Sequence, residues 1–231
     1  MTLLNISPFA ISRWGAFFNH FDLFFKGFLY TLGISFGALL FALILGILSG
    51  GLSTSKSKVG KLISRIYVEV FQNTPLLVQM VFVYYGLAII SNGHVMISAF
   101  FTAVLCVGLY HGAYISEVIR SGIEAVPKGQ TEAALAQGFT ANQTMQLIIL
   151  PQAVRTILPP MTNQVVNLIK NTSTVAIISG ADIMFVAKAW AYDTTNYIPA
   201  FTGAAIFYFV ICFPLASWAR KQEELNKKTY S

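Results

Sequence analysis

Residues Glu132–Pro151, EAALAQGFTANQTMQLIILP, form a short polar island between long apolar runs. Ala133, Ala134 and Ala136 favour a compact helix with little side-chain bulk. Gly138 then permits a sharp turn. A second helix is expected over about Ala141 to Leu150, ending before Pro151, because proline cannot continue the backbone ladder. Small residues followed by a turn and a second helix suit a surface that enters a partner's groove. Glu132 stands at the start of that surface, where its carboxylate can take charge-assisted hydrogen bonds.

Working outward, the composition explains why such an island stands out. Of 231 residues, 55% are hydrophobic and only 10% charged, with a mean hydropathy of +0.65. Those values exclude an ordinary soluble domain and imply an integral membrane protein. Nineteen Phe and ten Tyr suit a lipid-facing and interface-anchored surface. The net charge of +6 is carried at the ends of apolar runs and forms no separate basic domain, so nucleic acid is not the expected partner. Cys106 and Cys212 lie inside apolar runs and read as small buried hydrophobes. No cleaved leader is expected, since Arg13 follows the first apolar residues instead of preceding them.

The chain divides into an N-terminal segment 1–26, a membrane domain 27–220 and a charged tail 221–231. The first segment mixes Phe and Trp14 with Asn19, His20 and Asp22, and reads either as an interfacial helix or as a mobile tail. A first span follows from Gly27, where Gly33 with Gly37 and Gly46 with Gly50 permit close helix approach. A basic loop over Ser53–Arg65 leads into the next helix. Between Glu69 and Glu117 no charge occurs, and Ser91-Asn92-Gly93-His94 splits that run into two spans. Beyond the island, Pro159-Pro160 is expected to break the chain, with a helix from about Met161 to Gly180. A polar connection over 181–197 precedes the last span, 198–219.

Five spans result, and the basic residues orient them. Four Lys or Arg fall in the 52–65 loop, three in the island from Arg120 to Arg155 and four in the stretch Arg220–Ser231, together eleven of fifteen. With five spans all eleven share one side, which places the C-terminus in the cytoplasm and the N-terminus outside.

No G-x-x-x-x-G-K-[ST] loop is present, so the chain does not bind ATP by that route. His20, His94 and His111 lack metal-ligand spacing, and no GxSxG elbow occurs, so no catalytic or metal site is expected. Polar groups within spans are costly and mark candidate function. Gln164, Asn167 and Asn171, three and four apart, share a face of the fourth span, with Lys170 close to it and His111 in the third span. Glu117 and Arg120, three apart, read as an intrahelical pair.

Glu132, Ala133, Ala134, Gly138, Ile148, Leu150 and Pro151 reproduce the spacing of the EAA loop, and the chain resembles the permease subunits of bacterial ATP-binding-cassette importers. Within that family AYISEVIRSGIEAVPKGQ (113–130), FQNTPLLVQ (71–79) and LPPMTNQVVNLIKNTS (158–173) resemble the polar amino acid subfamily. The resemblance covers roughly residues 27 to 220. It implies an all-α integral membrane protein, a five-helix type I importer core with a cytoplasmic coupling-helix loop, in the bacterial inner membrane. It also implies a second permease subunit, identical or related, two ATPase subunits that bind ATP and Mg in place of this chain, and an extracytoplasmic substrate-binding protein. Glu132, Ala133, Ala134 and Gly138 are then expected to dock the ATPase.

In relatives that accept cationic amino acids, the positions matching Gln164 and Asn171 are often acidic; here both are amides. Without that carboxylate pair the attraction for a cationic side chain is lost. The expected substrate is therefore acidic or amide, such as glutamate, aspartate or glutamine. Two other readings stand beside it: amides that only bond neighbouring helices while the companion subunit binds substrate, and a permease for cationic amino acids. An ATP-independent channel or secondary carrier is a further alternative, though intramembrane carboxylates and clear repeat halves are missing.

Overall fold

The computed structural model describes Ser7 and residues 9–230, without the side chains of residues 222, 223 and 225–230. Residues 1–6 and 8 of the expected N-terminal segment, and Ser231 of the tail, lie outside the described residues. The described chain is helical, with no strand. In order come α1 (Ile11–Asn19), α2 (Phe21–Thr54), α3 (Lys58–Gln72), α4 (Leu76–Val81), a π-helical segment Phe82–Gly86, α5 (Leu87–Ile90) and α6 (Ala99–Glu124). There follow α7 (Lys128–Ala136), α8 (Ala141–Gln143), a π-helical segment Thr144–Ile149, α9 (Leu150–Asn171), a 3-10 segment Thr172–Ile178, α10 (Ile183–Thr194) and α11 (Tyr197–Tyr230).

Helices α2 and α6 and the stretch Tyr197–Lys221 of α11 are each long and apolar enough to cross a membrane. Two broken pairs pass the same test together: α3 with Leu76–Ile90, and Ala141–Ile178 with α10. Counting each pair as one crossing gives the expected five spans.

Local chemistry departs from the sequence reading at several points. The second crossing is interrupted at residues 73–75, because Pro75 has no N–H and drives Thr74 away from helical geometry. Asn73 closes α3 there, its Nδ2 donating to Glu69 O at 2.8 Å. Conversely, neither Pro151 nor Pro159-Pro160 ends a helix; α9 runs through all three. The π-helical segment precedes Pro151, and Gln152 Nε2 donates to Ile148 O at 2.7 Å, while Thr162 Oγ1 donates to Leu158 O at 3.0 Å. Side-chain donors and wider turns of this kind let membrane helices carry prolines. The expected connection 181–197 contains a twelve-residue helix, α10, and α11 continues through the tail to Tyr230. At the other end α2 begins at Phe21, inside the segment 1–26.

The helices build two compact units. Among the described residues, one comprises Ser7 with 9–38, 76–106 and 168–214. Its core is aromatic: Phe17 meets Phe24 at 4.7 Å between ring centres, and Phe24 meets Trp190 at 5.5 Å. Asp182, fully buried, caps α10 by accepting from Met184 N and Phe185 N at 3.0 and 3.2 Å. Thr31 Oγ1 accepts from Ile183 N at 3.1 Å, tying α2 to the start of α10. Gly33 and Gly37 face Phe100 and Val104.

The other unit comprises residues 39–75, 107–167 and 215–230. Here backbones approach closely: a Cβ at Gly46 would lie 2.3 Å from Ile115, and one at Gly122 2.3 Å from Ile157. A buried hydroxyl cluster joins three helices, with Ser116 Oγ donating to Ser49 Oγ at 2.9 Å and Ser64 Oγ donating to Ser49 O at 2.9 Å.

Candidate docking and translocation residues

The island folds as a helix, a turn and a second helix. Helix α7 starts at Lys128, after Pro127 supplies an extended N-cap, so Glu132, Ala133 and Ala134 lie in its middle and last turns. Ala134 is buried, whereas Glu132, Ala133, Leu135 and Ala136 are exposed. The helix ends in a Schellman motif: Gly138 N donates to Leu135 O at 3.0 Å and Phe139 N to Ala134 O at 3.1 Å. That motif requires a left-handed residue, and Gly138 has φ +89°. Thr140 opens the next helix with a capping box, its Oγ1 accepting from Gln143 N at 3.3 Å while Gln143 Oε1 accepts from Thr140 N at 2.9 Å. The π-helical segment Thr144–Ile149 packs back against α7. An exposed, small-residue helix end is thereby fixed between a Schellman turn and a capping box.

Among the polar residues of the spans, His111 and Gln164 are brought together. His111 is buried on α6, and its Nδ1 lies 3.3 Å from Gln164 Oε1 on α9. Beside it the hydroxyls of Tyr110 and Tyr114 are 3.2 Å apart, and the His111 ring lies 5.3 Å from that of Tyr110. Asn167, one turn further along α9, is exposed. Lys170 and Asn171 belong to the other unit, where Lys170 borders a cavity of about 320 Å³ with Ser173, Met184 and Tyr208. Glu117 and Arg120 form the intrahelical pair, Nη2 to Oε2 2.7 Å, and Arg120 also reaches Glu124 on the same helix.

Residues 42–224 match the family model of the binding-protein-dependent transport system inner membrane component. The chain belongs to this family. The permease is 34% identical over 213 residues to a probable glutamine ABC transporter permease of Bacillus subtilis, covering 92% of this chain and 97% of the relative. It is 36% identical over 200 residues to a probable amino-acid ABC transporter permease of Vibrio harveyi, covering 85% and 89%. A crystal structure of an amino acid ABC transporter with histidines superposes with a TM-score of 0.84 at 31% identity, over 91% of this permease and 97% of that chain. An inward-facing methionine ABC transporter superposes with a TM-score of 0.68 at 16% identity and shows the shared fold alone. The chain is thus a membrane permease with the type I importer fold and not an enzyme.

Two features escaped the sequence reading. The serine cluster at Ser49, Ser64 and Ser116 carries no spacing signal, because its members come from three helices. Asp182 was readable in principle: an acid immediately before the periodic apolar residues Ile183, Val186, Ala187, Trp190 and Ala191 is an N-cap pattern.

Proposed function

We propose that this permease forms the membrane path through which an ATP-driven importer takes up a polar amino acid, acidic or amide: glutamate, aspartate or glutamine. The observation that carries the reading is the pair His111–Gln164, an imidazole facing an amide where relatives for cationic substrates often carry an acid. An amide and an imidazole can donate to and accept from a substrate carboxylate or carboxamide without placing a fixed negative charge in the span. Asn167 adds a second amide to that pair's own unit, and Lys170 and Asn171 are the candidate substrate residues of the other unit. The naming of the Bacillus relative as a glutamine permease supports the same class.

In this reading Glu132, Ala133, Ala134 and Gly138 dock an ATPase subunit, which binds ATP and Mg. A second permease subunit, the same or related, completes the path, and an extracytoplasmic binding protein delivers substrate. The N-terminus faces outward and the C-terminus the cytoplasm of a bacterial inner membrane, with α1 along the interface.

ATP-dependent uptake of labelled amino acids into proteoliposomes holding the permease, its ATPase and its binding protein tests the proposal. Histidine and arginine belong in the panel, since a similar structure was solved with histidines. Glutamine, glutamate or aspartate should accumulate, and Gln164→Glu should weaken that uptake about tenfold or more, the worth of roughly 1.4 kcal/mol. Saturable arginine or histidine uptake with none of the other three would overturn the substrate class, and ATP-independent uptake would overturn the importer.

A further inference from the structure

Helix α3, the first half of the second crossing, has an outer stripe of Val59, Leu62, Ile63, Ile66 and Val70, each more than half exposed. Away from that stripe Lys61, Arg65, Glu69 and Gln72, four, four and three apart, line a cavity of about 480 Å³. Glu117 and Arg120 of α6 and Ser53 near the end of α2 line it too, so three helices of one unit contribute. Its walls are fixed: Tyr67 Oη donates to Leu109 O at 2.7 Å and Gln72 Nε2 to Ala113 O at 3.2 Å, holding α3 against α6. The charges inside are unevenly matched. Arg65 Nε donates to Glu69 Oε1 at 2.7 Å and Arg120 Nη2 to Glu117 Oε2 at 2.7 Å, so each lining carboxylate already holds an arginine of its own helix. Among the described residues Lys61 is paired with no acid, and no ion pair crosses the cavity from α3 to α6.

We propose that this cavity is a second amino-acid site, taking the zwitterion of a neutral or acidic amino acid with its α-carboxylate on Lys61 and Arg65 and its α-ammonium between Glu69 and Glu117. Ionisable groups within a crossing are costly and mark function, and here five converge from two helices. A ligand carrying both charges joins the two walls, using the lone pairs that each glutamate has beyond its arginine bond. With Lys61 the unmatched group, a side chain that adds a positive charge finds no free partner. The volume lies within the roughly 300–1,000 Å³ of small-molecule sites. At 3.6 residues per turn, Glu117 and Arg120 stand roughly 120° and 180° around α6 from His111, so the cavity is separate from the His111–Gln164 pair. The proposal rests on the amino-acid reading of this permease and adds a site to it.

The test is protection of a thiol in the cavity. Full-length permease carrying Ser53→Cys, Cys106→Ser and Cys212→Ser is held with its ATPase in detergent, and its reaction with uncharged N-ethylmaleimide is timed while L-glutamine is added. The reaction should slow along a saturating curve, about elevenfold at about ten times Kd. Glutamine acetylated on its α-amine, or amidated at its α-carboxylate, should need about tenfold more for the same protection. Lys61→Gln and Glu69→Gln should each raise the half-protecting concentration about threefold or more, whereas Lys58→Gln, outside the cavity, should not. Equal protection by acetylated glutamine or inorganic phosphate would overturn the zwitterion in favour of an anion site, and protection by arginine as strong as by glutamine would overturn the side-chain class. A thiol unreactive before any amino acid is added would overturn the site in favour of a covering protein or lipid surface. Protection lost with Gln164→Glu but kept with Lys61→Gln would assign the effect to the His111–Gln164 pair and overturn the second site. Absence of protection in a permease that still takes up glutamine with ATP overturns this site alone, whereas protection without ATP-dependent uptake overturns the importer and upholds the site.

Discussion

At Gly138 the backbone conformation, and not space, excludes other residues. A Cβ there meets nothing within 4 Å, yet φ is +89°. Gly138→Ala should therefore cost about 1–2 kcal/mol of local stability through left-handed strain, and Gly138→Asn less, since Asn tolerates that region. The measurement is ATP-coupled uptake per inserted permease, expected to fall in the order Gly, Asn, Ala. Gly46 and Gly122 show the opposite logic. Their Cβ atoms would sit 2.3 Å from Ile115 and Ile157, so Gly46→Ala and Gly122→Ala should each lose about 1–3 kcal/mol and lower the thermal midpoint in detergent. Gly51→Ala, also on α2 but with open space around it, should be neutral or stabilising by up to ~1 kcal/mol. The spacing of Gly46 and Gly50 announced close packing on the page of the sequence. Which side chains they meet did not, because the partners, Ile115 and Ile119, come from another helix, 69 residues further on.

Elements were legible where their signal is local. The Gly138 turn and the left-handed Asn92 and Gly93 fall where turn residues were read. Prolines misled, because a proline's effect on a helix depends on whether neighbouring side chains and wider turns supply its missing bonds. At Pro75 the chain breaks and Asn73 closes the preceding helix, while at Pro151, Pro159 and Pro160 it continues. Helix α10 falls in the stretch 181–197 read as a polar connection, because its short apolar period is bounded by Asp182 and by the polar run Asp193–Asn196. Its cap gives a prediction at this scale. Asp182→Ala should cost about 1–2 kcal/mol and speed hydrogen exchange at Met184 and Phe185, whose amides it accepts from, and Asp182→Asn should retain most of that protection.

For the whole molecule, the asymmetry of Lys and Arg makes a prediction that fusion reporters check. A fluorescent protein fused after Ser231 should fold and fluoresce in the cytoplasm, and alkaline phosphatase at the same point should be inactive; active phosphatase there would reverse the topology. Membrane class, helical architecture and family were all readable without coordinates, because hydropathy, charge distribution and the motifs around Glu132 are local in the chain. Tertiary structure alone decided that His111 meets Gln164 and that Lys170 borders a cavity with Ser173, Met184 and Tyr208, that three serines from three helices share one buried network, and that the outer stripe of α3 stays uncovered by its own chain. Helical periodicity states which residues share a face of one helix. It carries no information about which face of another helix they meet, and that pairing is set by close packing among all of them at once.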